Sequence, residues 1–549
     1  MSTRVLEVDG LSVQTVGGTR PRPILADIAF DVGQGETVCV VGESGSGKSV
    51  TALSIMGLLP RGSLTPTDGR ILVDGEDVLI ASPARLRALR ATRMAMVFQE
   101  PMTALNPVHR VGKQIDEVLR RHTALKRSER RERVLTMLDS VHLSHVSQIY
   151  DAYPHQLSGG QRQRIVISMA LILEPKLLIA DEPTTALDVT TQAQILSLIR
   201  ELQKKHNTAV TFITHDFGVV SEIADRIVVM NRVRVVEVGQ RNEILARPRN
   251  AYTRMLVSSV PSLIPRRHES SNREVILDVA DLSKTFVATR LFTKGRRVEA
   301  AKSVNLTIRR GEIVGLVGES GSGKSTVARC ILRLIDPTSG SIRIRGHDIA
   351  KVPLRPLRRL RSRFQIIFQD PYRSLNPRRR VGDSIVEGLV NFGMRRDAAL
   401  KRGRELLGLV GIDPDVMRRY PHQFSGGQRQ RICIARALAL EPDLLVADEA
   451  VSALDVSVQA QILKLLEEIR ALTGIAVLFI THDLRVAAQI CDTVVVMQNG
   501  DVVEAGLAEN VLAAPRQDYT RALIEAAPGR HWDFQNFQPN QPIGTDVSL

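Results

Sequence analysis

Two stretches of this sequence have the residue types and spacing to hold a polyphosphate. Gly42, Ser44, Gly45, Gly47, Lys48 and Ser49 fit the pattern GxxxxGK[ST], and Gly318, Ser320, Gly321, Gly323, Lys324 and Ser325 fit it again. Glycines at these positions let backbone N–H groups turn inward around phosphate oxygens. The helix that follows, with Val50 and Thr326 in its first turn, would present its positive end to the anion. Lys48 and Lys324 would then reach the β- and γ-phosphates, and Ser49 and Ser325 would ligate Mg2+. A glycine-rich turn beside a surface lysine competes with this reading for one copy and loses ground when the motif occurs twice.

Asp181 and Asp448 each close an apolar run, LLIAD and LLVAD, where a carboxylate can hold Mg2+ through its water shell. Glu182 and Glu449 follow at once. A carboxylate beside the γ-phosphate can orient and polarise an attacking water, the main task in phosphoryl transfer. His215 and His482 follow the apolar stretches AVTFIT and AVLFIT. A lone histidine there more often packs or caps, but its recurrence at a fixed distance after each glutamate favours a hydrogen bond to the γ-phosphate. Gln99 and Gln369 could contact Mg2+ or water through a neutral amide, with a surface-loop glutamine as the competing reading. Ser158, Gly159, Gly160 and Gln161 precede a helix, as do Ser425, Gly426, Gly427 and Gln428. They give each half a second phosphate-binding helix start. Two halves facing head to tail would let the glycine loop of one meet the SGG of the other.

The elements that must position these residues come in duplicate. VGESGSGKS recurs at Val41–Ser49 and Val317–Ser325, QRQRI at Gln161–Ile165 and Gln428–Ile432, and FITHD at Phe212–Asp216 and Phe479–Asp483. From Ser158 onward the halves keep one register, so the length differences lie between the first glycine loop and the SGGQ segment. Short β-branched runs lead into glycines and then into helical patterns. That alternation predicts a parallel α/β sheet with helices packed on it. Arg120–Leu143 departs from it, with Val134, Leu135, Leu138 and Val141 at helical spacing among many charges. It reads as a helical subdomain inserted in the sheet. The expected domains are residues 1–262 and 274–528, joined by a Pro- and Ser-containing linker over 263–273. Residues 529–549 are expected to form a mostly disordered tail.

Composition narrows the class. The 549 residues are 43% hydrophobic and 24% charged, an ordinary globular balance. No run approaches the ~18 apolar residues of a membrane-spanning helix, and the first residues, MSTRVLEVDG, hold no apolar secretory core. Cys39, Cys330, Cys433 and Cys491 are scattered, which disfavours a zinc ribbon and suits a reducing compartment. The net charge of +15 suits nucleic acid, anionic lipid or a nucleotide, and equally a solvated basic surface.

In combination these motifs resemble the ATP-binding cassette (ABC) superfamily over nearly the whole chain, Arg4 to Pro528. GKSVTALSIMGLLP, FQEPMTALNPVHRVG, FQDPYRSLNPRRRVG, DEPTTALDVTTQAQIL, AYTRMLVSSVP and DYTRALIEAAP further resemble the ATPase subunits of dipeptide/oligopeptide importers, here with two such subunits fused. The resemblance implies two tandem ABC nucleotide-binding domains, each a P-loop parallel-sheet core with an inserted helical subdomain. It implies ATP and Mg2+, two transmembrane permease subunits, an extracytoplasmic solute-binding protein and a peripheral place on the cytoplasmic face of the membrane. One site would combine Lys48, Ser49, Gln99, Asp181, Glu182 and His215 with Ser425 to Gln428. The other would combine Lys324, Ser325, Gln369, Asp448, Glu449 and His482 with Ser158 to Gln161. Asp188 and Asp455 match the family's loop linking the sites.

Some positions depart from the family pattern. An aromatic often stacks on adenine near the start of a cassette. Phe286 offers this in the second half, whereas Thr15 stands there in the first. Stacking adds about 0.5–1.5 kcal/mol, so weaker binding is expected at the first site. No C-terminal cysteine cluster is present, so no iron–sulfur centre is expected. Both halves keep the glutamate and histidine, so two competent sites are expected. A soluble tandem-cassette ATPase acting on ribosomes or nucleic acid is the rival reading. The short linker and scarce aromatic–basic platforms weigh against nucleic acid. A fused sugar-importer ATPase and a non-catalytic regulatory protein are disfavoured by the two complete acid–histidine sets. The arginines and lysine at 120, 121, 126, 127, 130, 131 and 133 are candidates for contact with anionic lipid, or a solvated helix face.

Overall fold

The computed structural model describes residues 3–17, 21–99, 104–185, 187–265, 273–287, 297–452 and 454–540. The chain divides into two compact units, Met1–Val260 with Pro528–Leu549, and Pro261–Ala527.

In the first unit an antiparallel sheet is built from β1 (Arg4–Thr15), β2 (Pro23–Gly33), β4 (Leu64–Val73) and β5 (Glu76–Asp77), in the order β2-β1-β4-β5. The second sheet contains β3 (Thr37–Val41), β6 (Met94–Val97), β7 (Leu177–Asp181), β8 (Ala209–Thr214), β9 (Arg226–Asn231) and β10 (Arg234–Gln240), in the order β10-β9-β3-β8-β7-β6. Five of these six strands run parallel, and only β10 pairs antiparallel. Every residue of β3, β7 and β8 is buried. That is why these strands read as unbroken apolar runs: helices cover both faces of a parallel sheet.

The second unit repeats the plan. β11 (Val275–Val287), β12 (Arg297–Arg309), β14 (Ser339–Ile344) and β15 (His347–Asp348) form the antiparallel sheet. β13 (Ile313–Val317), β16 (Phe364–Ile367), β17 (Leu444–Asp448), β18 (Ala476–Thr481), β19 (Thr493–Gln498) and β20 (Asp501–Leu507) form the other, in the order β16-β17-β18-β13-β19-β20. The fold class expected from the sequence is therefore observed twice.

The predicted helical insertions are present. In the first unit, helices span Val111–His122, Arg127–Ser140 and Val146–Asp151, with Val134, Leu138 and Val141 fully buried and Leu135 partly so. Much of the basic character here is met within the fold. Arg130 pairs with Asp116 at 2.8 Å, Arg121 with Glu117 at 3.1 Å and Arg133 with Glu174 at 2.9 Å, while Arg131 lies over the Tyr150 ring. Among the described residues no helix is long and apolar enough to cross a membrane.

The C-terminal segment differs from expectation. The expected linker falls largely on residues 266–272, outside the described residues. The expected disordered tail instead forms, as far as residue 540, a two-stranded hairpin of β21 (Trp532–Asp533) and β22 (Gln538–Pro539). Phe534 is 3% exposed, and Gly529 N–H donates to Glu222 of the first unit at 3.0 Å. An Asn-, Gln- and Pro-rich composition concealed one buried aromatic anchor.

The duplicate cores differ where sulfur is placed. Gly315 sits at the centre of β13, and a Cβ added there would lie 2.7 Å from Cys491 Sγ. In the first unit Cys39 stands at the matching position of β3, and Ala224 stands where the second unit has Cys491. The two units thus place a cysteine on opposite sides of the matching position. Gly315→Cys is expected to destabilise by about 1–3 kcal/mol through overpacking. Cys491→Ala added to it is expected to restore most of the loss, read as a coupling energy in urea-unfolding midpoints.

Candidate functional site

Each glycine loop joins a buried central strand to a helix that starts at its lysine. Gly42, Gly45 and Gly47 have φ of 152°, 81° and 106°, and Gly318, Gly321 and Gly323 repeat this at 145°, 82° and 108°. A Cβ on Gly42 would meet the Met230 carbonyl at 2.2 Å, and one on Gly318 would meet that of Met497 at the same distance. Only glycine admits both the backbone and the close approach. The helices Lys48–Ile55 and Lys324–Ile331 follow with no side-chain cap, so their first N–H groups face the loop's hollow. Lys48 Nζ donates to the carbonyls of Gly42 (2.7 Å) and Glu43 (3.0 Å), and Lys324 Nζ to those of Gly318 and Glu319 (both 2.7 Å). Ser46 Oγ is buried in this loop with no hydrogen-bond partner among the described residues.

The acids arrive from β7 and β17. Asp181 is their last residue in the first unit, 7% exposed, and accepts from Ser49 Oγ at 3.3 Å; Asp448 and Ser325 match it at 3.2 Å. Burial pushes the carboxyls of Asp181 and Asp448 up, against the serine hydrogen bonds. Glu182 and Glu449 turn out of the strand with φ of 47° and 48°, a left-handed backbone that non-glycine residues rarely adopt. The sharp turn sends the glutamate away from the aspartate's direction.

Three side chains converge on Glu182. Gln99 Nε2 donates at 2.9 Å, Thr185 Oγ1 at 2.9 Å, and His215 Nδ1 lies at 3.1 Å. Burial works to raise this carboxyl. The hydrogen bond and charge of His215, with Thr185 and Lys48, outweigh it and hold the pKa at about 2. In the second unit Gln369 Nε2 donates to Glu449 at 2.7 Å, and His482 Nδ1 lies 3.4 Å away. Burial lowers the tendency of His482 to carry a proton, but Glu449 and Asp483 reverse this and raise its pKa. Glutamine, acid and histidine, separated by scores of residues, are thus joined within each unit. Thr185 was not evident from sequence, because nothing distinguishes a threonine three residues past an acid until the left-handed turn folds it back.

Ser158 and Ser425 cap the helices Gly159–Leu171 and Gly426–Leu438. Gln161 Oε1 accepts from Ser158 N–H (3.0 Å) while Ser158 Oγ accepts from Gln161 N–H (3.2 Å), and the second unit has the same capping box. Serine and glutamine at this spacing build a fixed helix start worth about 0.5–2 kcal/mol, with Ser158 and Gly159 exposed. A Cβ on Gly160 would meet Thr191 Cγ2 at 2.5 Å, and one on Gly427 would meet Val458 Cγ1 at 2.4 Å. Asp188 caps the neighbouring helix Val189–His206, accepting from Thr191 N–H at 2.9 Å. Phe286 is the penultimate residue of β11, 44% exposed, with Lys284 Nζ 5.1 Å from its ring centroid. It pairs with Val298 on β12, and Ala300 of that strand touches the second glycine loop at Gly323. Thr15 ends β1 at the corresponding place in the first unit.

Comparison with known proteins adds the family. The description "ABC transporter" matches residues 25–185 and 301–452, and "Oligopeptide/dipeptide transporter, C-terminal region" matches residues 236–286 and 503–546. The chain belongs to the ABC transporter family. The two units are ABC cassettes, and the protein is an ATPase of the kind coupled to transport. It is 45% identical to the peptidoglycan transport ATP-binding protein YejF of Agrobacterium fabrum, over 95% of this chain and 96% of that one. It is 46% identical to the glutathione import ATP-binding protein GsiA of Pectobacterium atrosepticum, over 96% of this chain and 90% of that one.

Proposed function

We propose that this chain is the ATP-hydrolysing subunit of a membrane importer. It works at the cytoplasmic face with separate permease subunits and an extracytoplasmic receptor, on peptides or a related small solute. The duplicated set of lysine, serine, aspartate, glutamate and histidine carries the ATPase part of the reading. The importer part rests on the relatives named for glutathione import and peptidoglycan transport, and on the oligopeptide/dipeptide region in both halves.

Each site residue has a role in that reading. The loop N–H groups and the helix starts at Lys48 and Lys324 bind the phosphates of ATP. Each lysine moves from the loop carbonyls to the β- and γ-phosphates. The hydroxyl and carboxylate oxygens of Ser49 and Asp181, with the Gln99 amide, suit Mg2+, which takes few protein ligands and completes its shell with phosphate and water. Ser325, Asp448 and Gln369 suit it equally. Bound there, Mg2+ would supply neutralisation of charge on the leaving phosphate oxygens. Glu182 and Glu449, held ionised, polarise the attacking water. His215 and His482 orient the glutamate and meet the γ-phosphate. Ser158 to Gln161 and Ser425 to Gln428 close on the nucleotide held by the opposite cassette. Phe286 stacks on adenine in the second cassette, so the first binds ATP more weakly.

The test is reconstitution with copurified permease subunits in liposomes. ATP hydrolysis is expected to rise when receptor loaded with glutathione or a short peptide is added. Hydrolysis indifferent to any receptor, together with copurification on ribosomes, would favour the soluble alternative.

A further inference from the structure

The helices that follow the last strand of each cassette carry AYTRML and DYTRAL, and the nucleotide chemistry above makes no use of them. Each sends a tyrosine onto the glycine loop. Glu43 N–H donates to Tyr252 Oη at 3.2 Å, and Tyr252 Oη donates back to the Glu43 carboxylate at 3.3 Å. In the second cassette Glu319 N–H donates to Tyr519 Oη at 3.3 Å. The partners are 209 and 200 residues apart in sequence.

The other side of the same loop residue faces the lysine. The Glu43 carbonyl accepts from Lys48 Nζ at 3.0 Å, and the Glu319 carbonyl from Lys324 Nζ at 2.7 Å. The tyrosine therefore grips the N–H of the residue whose carbonyl parks the lysine. Glycines at 42 and 45 leave the flanking peptides with little conformational restraint of their own, so this anchor has an orientation to fix.

The tyrosine is itself held firmly. Asn250 caps the helix Ala251–Ser258 and accepts from Tyr252 N–H at 2.8 Å. Glu237, on β10, accepts from the N–H groups of Arg249 (2.7 Å) and Asn250 (3.1 Å). Glu504, on β20, does the same for Arg516 (2.9 Å) and Gln517 (3.3 Å), and the Tyr519 ring packs on the apolar core of its cassette. Gln517 gives the second helix no side-chain cap, but the Glu504 contacts repeat those of Glu237, so in both cassettes the sheet-edge strand holds the chain that leads into the tyrosine's helix.

We infer that Tyr252 and Tyr519 are positioning residues for nucleotide binding: their hydroxyls set the glycine-loop peptide that presents N–H groups and the lysine to phosphate. This deepens the nucleotide-site reading above and rests on it. A phenyl ring in the same place keeps the packing and loses only the hydroxyl.

The test measures equilibrium binding of MgATP to the full chain with both Glu182 and Glu449 changed to Gln. Tyr252→Phe with Tyr519→Phe is expected to weaken MgATP binding about 5- to 10-fold, the span of one hydrogen bond to a partly buried group. The melting temperature without nucleotide should hold, and the rise that MgATP gives it should shrink. In the otherwise wild-type chain the same pair should raise KM more than it lowers kcat. Unchanged MgATP affinity, or a melting temperature lowered without nucleotide at unchanged affinity, would overturn the inference. Lys48→Ala with Lys324→Ala separates the two levels. If the lysine variants lose MgATP and the tyrosine variants do not, only the tyrosine assignment fails. If the lysine variants keep it, the nucleotide-site reading fails.

Discussion

Glu182→Gln with Glu449→Gln should stop ATP turnover while leaving the nucleotide bound. A positioned general base contributes about 10²–10⁴-fold to rate, so hydrolysis should fall by at least the lower figure. Affinity should hold, because the phosphate-binding groups belong to the glycine loops. The geometry makes the effect specific. Glu182 sits on a left-handed backbone and receives Gln99, Thr185 and His215; against burial, His215, Thr185 and Lys48 keep its carboxylate ionised. A glutamine keeps the length and loses the charge proposed to polarise water. Full activity in the double variant, measured as phosphate release under saturating MgATP, would reject this assignment.

The next largest effect separates the two SGGQ starts. In a chain whose second glycine loop is disabled by Lys324→Ala, the remaining site uses Lys48. On the proposed pairing it closes with Ser425 to Gln428 of the other cassette. Gly427→Ala should then abolish the residual hydrolysis, and Gly160→Ala should spare it. The added methyl would stand 2.4 Å from Val458 Cγ1, so either that side chain or the helix start must shift, and the prediction is that the helix start gives. Loss of preorganised N–H donors to a developing charge typically costs about 10²–10³-fold. The reverse pattern, with Gly160→Ala damaging and Gly427→Ala silent, would place each SGGQ start with its own cassette's loop.

The sequence disclosed most of the frame because its signals were local. Apolar β-branched runs ending in GxxxxGK[ST] or in Asp-Glu mark buried parallel strands and their carboxyl ends, and duplication confirmed each motif against its twin. The capping role of Ser158 and Gln161 is equally local, since serine followed three residues later by glutamine spells a capping box. What stayed hidden depends on distant contact. Tyr252 and Tyr519 meet their loops across some 200 residues, and no spacing rule links them. The left-handed backbone of Glu182 is imposed by tertiary packing, and its side chain does not announce it. Arg130 looked like free surface charge until Asp116 took it up. The tail looked unstructured because one buried Phe534 hardly alters its composition. The exchange of sulfur between Cys39 and Cys491 became legible only when Gly315 was seen against its neighbour.

The proposed head-to-tail sharing of nucleotide is the central claim, and one experimental map tests it most directly. The full chain with Glu182→Gln and Glu449→Gln, saturated with MgATP, should show two ATP molecules. Each γ-phosphate should contact the lysine of one cassette and the SGG backbone of the other. Two ATP molecules each contacted only by the cassette whose glycine loop holds it would contradict the account.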